Sequence, residues 1–134
     1  MTIHADLIEE PYAFQTLLGF ELTEWRKDFC ALRQPIVDHL GNRYGIPHGG
    51  VYAVLLDTVM GYCGCFTGKH DEKLLAMTLN MNVSYLSRPK GKMLLAEGRR
   101  IGGGARTFFA EGTLSDETGE LIAKASGTFR FRAG

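Results

Sequence analysis

An α+β architecture, a curved antiparallel sheet wrapped around one very apolar helix, follows from three features of the sequence. The stretch Val51 to Phe66 is apolar on every side and carries Asp57 as its only charge. The residues after it read as strands separated by short polar turns. The chain has 134 residues and no repeat, low-complexity tract or Pro/Ser-rich linker, so residues 1–134 are expected to form a single domain. A helix with no polar side must be covered, and consecutive strands joined by short turns pair antiparallel.

The elements follow in order. Pro11 to Gly19 predicts a short helix, with Pro11 in its first turn and Gly19 as its stop. Phe20 to Lys27 and Phe29 to Pro35 are mixed apolar and polar runs that pair as two strands. Val37 to Pro47 carries Gly41, Asn42, Gly45 and Pro47, which is loop chemistry. Gly49-Gly50 opens the apolar helix, expected to end near Thr67-Gly68. From Met77 to Tyr85 the residues alternate. Met77, Leu79, Met81, Val83 and Tyr85 would share one face, and Thr78, Asn80, Asn82 and Ser84 the other. Lys92 to Arg99 and Arg106 to Leu114 flank Gly102-Gly103-Gly104. A polar turn, Ser115 to Gly119, leads into a last strand in which Leu121, Ala123, Ala125, Gly127, Phe129 and Phe131 alternate with Ile122, Lys124, Ser126, Thr128, Arg130 and Arg132.

Composition excludes several functions. Fifteen basic and fifteen acidic residues cancel, which argues against a nucleic-acid or anionic-membrane binder working through bulk charge. A hydrophobic share of 45% with 22% charged residues is globular rather than disordered. The acidic opening MTIHADLIEEPYAF has no long apolar run, so no secretory leader is expected. Val51 to Phe66 is shorter than the about 20 residues of a membrane-spanning helix and is interrupted by Gly61 and Gly64. Cys30, Cys63 and Cys65 are odd in number and suit a reducing cytoplasm better than a disulfide framework. His4, His39, His48 and His70 have no zinc spacing, and no metal is expected.

Asp57 carries the chemistry. Aspartate is a poor mid-helix residue, and its neighbours at helical spacing are Ala53, Val54, Met60 and Gly61, so no polar stripe continues on its face. The plain alternative is a surface carboxylate on the one wet stripe of the helix. A carboxylate at an apolar site is a candidate general base or nucleophile. The second signal is Pro47-His48-Gly49-Gly50 at the helix start. Unpaired backbone N–H groups there favour negative charge, and two glycines admit a ligand close to the backbone. Such a site suits a developing oxyanion. Asp57 lies two turns, roughly 11 Å, along the helix from the Gly49 amide, too far for both to meet one small carbonyl. Either the helix start is irregular, or Asp57 of one subunit faces Gly49 of another. The second option predicts an obligate oligomer.

The run Asn42-Arg-Tyr-Gly45-Ile-Pro-His48-Gly49-Gly50, followed after six residues by Asp57, resembles the signature of hotdog-fold acyl-CoA thioesterases of the phenylacetic-acid-degradation (PaaI-like) type. Thr78 to Pro89 resembles the family's following long strand, and Gly119 to Phe129 its last strand; the likeness spans roughly residues 12 to 132. The resemblance implies a hotdog fold and hydrolysis of acyl-CoA thioesters. It implies Asp57 as general base or nucleophile and Gly49 as the amide that polarises the carbonyl. Asn42 would position the carbonyl or the attacking water, with the Thr78 hydroxyl near that water. His48 would organise the loop, with Gly50 beside it. It also implies a site shared between subunits of a dimer or tetramer. Coenzyme A is then part of the substrate, with no separate cofactor. Arg88, Lys90 and Lys92 after the Tyr85 strand, and Arg99, Arg100 and Arg106 about the glycine run, could hold its phosphates, Arg88 and Arg106 foremost. Two alternatives stand beside this reading. A hotdog enoyl-CoA hydratase usually pairs its Asp with a nearby His, and none follows Asp57 until His70. A non-catalytic acyl-CoA-binding protein would usually carry an added DNA-binding segment, for which 134 residues are expected to leave no room. Trp25 is read as core or groove lining.

Overall fold

The computed structural model describes residues 9–132; His4 and most of the acidic opening lie outside them. A short helix α1 (Ala13–Leu18) precedes strands β1 (Glu21–Arg26) and β2 (Phe29–Pro35). A 3-10 turn at Asp38–Leu40 leads to helix α2 (Gly49–Cys63), followed by β3 (Ala76–Tyr85), β4 (Met93–Gly103), β5 (Thr107–Asp116) and β6 (Leu121–Phe131). The six strands form one sheet, in the order β1-β2-β4-β5-β6-β3, with every pair antiparallel. β2 pairs with β4 and β3 with β6, so β3 crosses over to the far edge rather than pairing with its sequence neighbour β4. Gly19 ends α1 at φ 92 as its stop, while Tyr12 is the N-cap, which leaves Pro11 one residue before the cap.

α2 packs on the concave face. Val51, Tyr52, Leu55, Leu56, Val59, Met60 and Cys63 are buried, at the spacing of one helical stripe. They meet Leu32, Leu94, Ala96, Phe108, Ala110, Leu114, Ile122 and Phe129 from the strands. Gly98 and Gly112 pair across β4 and β5 beneath the helix. A Cβ on Gly98 would run into the Val59 carbonyl, and one on Gly112 would lie 3.1 Å from Leu56 Cδ2. These glycines let the helix lie close on the sheet. The helix ends at Cys63, earlier than the apolar pattern suggests. At its cap, Gly64, a Cβ would lie 2.5 Å from the Phe108 ring. Cys65 therefore lies outside the helix.

Coverage of α2 is one-sided. Ala53, Val54, Asp57, Thr58, Gly61 and Tyr62 are only half-buried, because the sheet wraps the opposite stripe. Register shifts break the simple alternation in four of the five strand pairings, and two of them bear on the site and the core. The β3 register shifts between Thr78 and Asn80, and the β5–β6 register shifts near Leu114. In consequence Ile122, not Leu121, is buried at the start of β6.

Candidate active site

The bulge in β3 builds the centre of the site. Plain alternation places Thr78 opposite Met81, Val83 and Tyr85; the extra residue puts it on their side, facing α2. Met81 and Val83 then pack on the core, while the Thr78 hydroxyl donates to Asp57 Oδ1 at 2.6 Å. Asp57 is half-buried and borders a cavity of about 230 Å³. Thr58, Tyr12, Tyr62, Trp25 and Phe129 are among its walls. Thr58 donates to the Val54 carbonyl at 2.7 Å, so its hydroxyl hydrogen is directed along the helix. Burial raises the pKa of the Tyr12 phenol, and more strongly that of Tyr62.

The helix start forms the second part. Its loop is closed by Asn42, whose side-chain oxygen accepts from Tyr44 N–H at 2.8 Å and Ile46 N–H at 3.4 Å. Asn42 N–H donates to the Ile46 carbonyl at 2.8 Å. These bonds form an Asx-type turn. His48 is the N-cap of α2, its Nδ1 accepting from Gly50 N–H at 2.8 Å and its carbonyl from Val51 N–H at 2.9 Å. The Gly49 N–H has no partner among the described residues. It stands at the positive end of a fifteen-residue helix. Tyr85 lies against it. The phenol donates to the Gly49 carbonyl at 3.3 Å, and a Cβ on Gly49 would sit 3.1 Å from the ring.

α2 is regular from Gly49 onward. The irregular start is thereby ruled out, and the separation of two turns, roughly 11 Å, between Gly49 and Asp57 stands. The chain brings Asp57 and Thr78 together, and His48, Gly49, Gly50 and Asn42 together, but not the two groups with each other. Arg88 and Arg106 also separate. Arg88 follows the C-terminal end of β3, near Tyr85 and Gly49. Arg106 adjoins the other end, where its carbonyl accepts from Phe131 N–H at 2.9 Å and Phe131 pairs with Ala76. A ten-residue strand lies between them, roughly 30 Å at about 3.3 Å per residue. The Arg88 loop is itself held: Lys90 and Gly91 N–H donate to Asp116 Oδ2 at 2.7 and 2.8 Å, and Lys92 and Met93 N–H to Glu117.

The three thiols are buried. Burial pushes Cys63 up to about 12 and Cys65 to about 11, and raises Cys30 well above the ordinary thiol range. They suit packing rather than nucleophilic attack. No cluster of three or more His, Cys, Asp or Glu able to hold a metal occurs among the described residues, and none of their helices is long and apolar enough to cross a membrane. The sequence reading does not single out Tyr12, Tyr62 or Tyr85. Tyr62 is five residues after Asp57 on an apolar helix, a spacing that reads as core. Tyr12 and Tyr85 reach the site only through tertiary packing.

Comparison with known proteins gives the family. The thioesterase superfamily profile matches residues 44–123, more than half of the chain and inclusive of Gly49, Asp57 and Thr78. A Bacillus halodurans protein solved with CoA is 26% identical, with a TM-score of 0.77 over 92% of this chain and 80% of that one. A Streptococcus mutans protein bound to acetyl CoA is 26% identical, with a TM-score of 0.73 over 85% and 89%. The E. coli PaaI protein from the phenylacetic acid degradation operon is 18% identical and shares the fold, with a TM-score of 0.80 over 92% and 86%. The curved antiparallel sheet around a single long helix is the hotdog fold. With that fold, and with the profile spanning both the helix start and the central carboxylate, the chain belongs to the thioesterase superfamily.

Proposed function

We propose that this protein hydrolyses acyl-CoA thioesters to the free acid and coenzyme A, at sites shared between two copies of the chain. The observation that carries the reading is the Asp57–Thr78 pair beside a cavity, in a chain whose Gly49 amide, at a helix start, has no partner among the described residues. The likeness to proteins solved with CoA and with acetyl CoA supports the choice of substrate.

The chemistry runs as follows. The thioester carbonyl oxygen accepts from Gly49 N–H, where the helix dipole favours the negative charge that develops on it. Asp57 either takes a proton from water as the water oxygen bonds to the carbonyl carbon, or bonds to that carbon itself to give an anhydride that water then cleaves. In both cases the C–S bond breaks, its electron pair leaves with sulfur, and the CoA thiolate takes up a proton. The Thr78 hydroxyl holds Asp57 in place, and its oxygen can accept from the same water. His48 keeps the loop in register by capping Gly50. Asn42, with its oxygen committed to the loop, has its amide nitrogen to offer the carbonyl or the water.

Two copies are needed because one chain keeps Gly49 and Asp57 two turns apart. The uncovered edge supports this. β3 carries no charge and no proline, and Met77 (49%), Leu79 (53%) and Tyr85 (56%) are exposed on it. A long, uncharged edge strand of this kind invites a partner strand. A second copy that brings its Gly49 to Asp57 also brings its own Arg88 toward the first copy's Arg106, so one set of CoA phosphates meets both arginines. The assembly is a homodimer or a dimer of dimers, acting on a small-molecule substrate without nucleic acid or membrane. The buried reduced thiols suit the cytoplasm.

A thiol-release assay over an acyl-CoA panel tests the reading. Free thiol is expected from at least one acyl-CoA. Hydration of an enoyl-CoA without thiol release would favour the hydratase, and tight binding with neither would favour a non-catalytic binder.

A further inference from the structure

Trp25 and Glu9 each line two cavities. Trp25 lines the cavity of about 230 Å³ beside Asp57, and also a second cavity of about 310 Å³ bordered by Phe66, Lys69 and Glu72. The indole is fixed on three sides. Its Nε1–H donates to the Tyr62 carbonyl at 2.9 Å, and the ring meets Tyr62 and Phe66 edge to face at centroid distances of 5.2 and 5.6 Å. Only 8% of the residue is exposed. A ring held by a hydrogen bond and two aromatic contacts is a rigid wall rather than a movable one.

We propose that Trp25 is the residue that limits acyl length: its held indole walls the Asp57 cavity on the side shared with the second cavity, so the site takes a compact acyl group, a short chain or a single ring, and turns long chains away. This rests on the acyl-CoA reading of the same site. Shortening the Trp25 side chain removes the aromatic part of the wall that the two cavities share with Glu9 and opens room toward Phe66 for a longer tail.

The test compares butanoyl-CoA with dodecanoyl-CoA in the wild-type protein and in Trp25→Ala. The wild type is expected to favour butanoyl-CoA at least tenfold in kcat/KM. Trp25→Ala should shift the ratio of the two kcat/KM values at least tenfold toward dodecanoyl-CoA, with the near-ultraviolet circular dichroism showing a folded protein. A ratio unchanged in a folded variant, or a wild type that handles both equally, overturns the proposal. Should Trp25→Ala fail to fold, a second measurement leaves the ring in place. Trp25 is the chain's only tryptophan, so its emission reports on this wall alone. In Asp57→Asn, butanoyl-CoA should change that emission beyond the change caused by CoA itself, and an identical response to both overturns the proposal. Absence of thiol from every acyl-CoA would be a separate failure, of the hydrolase reading, and the emission arm would still decide whether an acyl group reaches Trp25.

Discussion

Thr78 and Asp57 are joined by one hydrogen bond of 2.6 Å, and its removal is the most local change open to test. A hydrogen bond to a charged group contributes about 1.5–3 kcal/mol. Because Thr78 is exposed in the single chain, the lower end applies. Thr78→Val should lower kcat about tenfold with KM little changed, and Thr78→Ser should restore most of it. Steady-state kinetics on a good acyl-CoA reads both, and equal rates for the valine variant would remove Thr78 from the mechanism. Asp116 poses a different question at the same scale. Its carboxylate accepts from the Thr118 hydroxyl at 2.6 Å and from the N–H groups of Gly91, Lys90 and Thr118, which hold it well below the ordinary carboxyl range. A depressed folded-state pKa stabilises the fold above the unfolded value of about 3.9 and loses that contribution as pH falls below it. The wild-type Tm should therefore drop between pH 5 and pH 2.5 more steeply than that of Asp116→Asn. Parallel melting profiles would show that Asp116 plays no such part. At this scale Asp57 was visible in the sequence because a lone charge among apolar residues stands out. Tyr12, Tyr62 and Tyr85 were not, since an aromatic residue in a wall and one in a core look alike until packing assigns them.

α2 and the strands beneath it are the next scale. Their spacing is set at Gly98, where a side chain would strike the Val59 carbonyl, a backbone atom that cannot turn aside. Gly98→Ala should cost about 1–3 kcal/mol, the range for overpacked cores, and appear as a lower Tm. An unchanged Tm would mean the helix can lift off the sheet without loss. Most elements could be read from the sequence: α2 from its apolar run, and the second-half strands from alternation and turns. Two features could not. The β3 bulge is invisible to a period-two reading, since Met77 to Tyr85 alternates without a break in composition while the backbone inserts an extra residue at Leu79. The helix end was also hidden, because Cys65 and Phe66 continue the apolar pattern past Gly64, and the close fit of Gly64 against Phe108 exists only in the packed chain.

At the scale of the whole molecule lies the proposed need for a second copy of the chain. Its sheet buries one stripe of α2 and leaves the Asp57 stripe half-covered, its β3 edge is uncharged and unpaired among the described residues, and its two clusters of candidate site residues stand two helical turns apart. The sequence disclosed that separation through spacing alone, but which surface closes the gap depends on the strand order, and that order puts β3 at the edge through a crossover no local pattern reveals. Subunit mixing tests the proposed shared site directly. Asp57→Asn removes the carboxylate and should lower turnover at least 100-fold with the fold intact. Gly49→Pro removes the amide hydrogen. Proline suits the first position of a helix, and His48 before it already has the extended conformation, φ −63 and ψ 139, that proline requires; the Tyr85 ring, 3.1 Å from a Cβ at this position, must give by a few tenths of an ångström. Each variant alone should be nearly inactive. Unfolded and refolded together, half the dimers pair one of each, and one of their two sites then holds an intact Asp57 and an intact Gly49. Recovery of about a quarter of wild-type activity is expected from that symmetry; mixed dimers that form and stay inactive would place both groups in a single chain and refute the two-copy site.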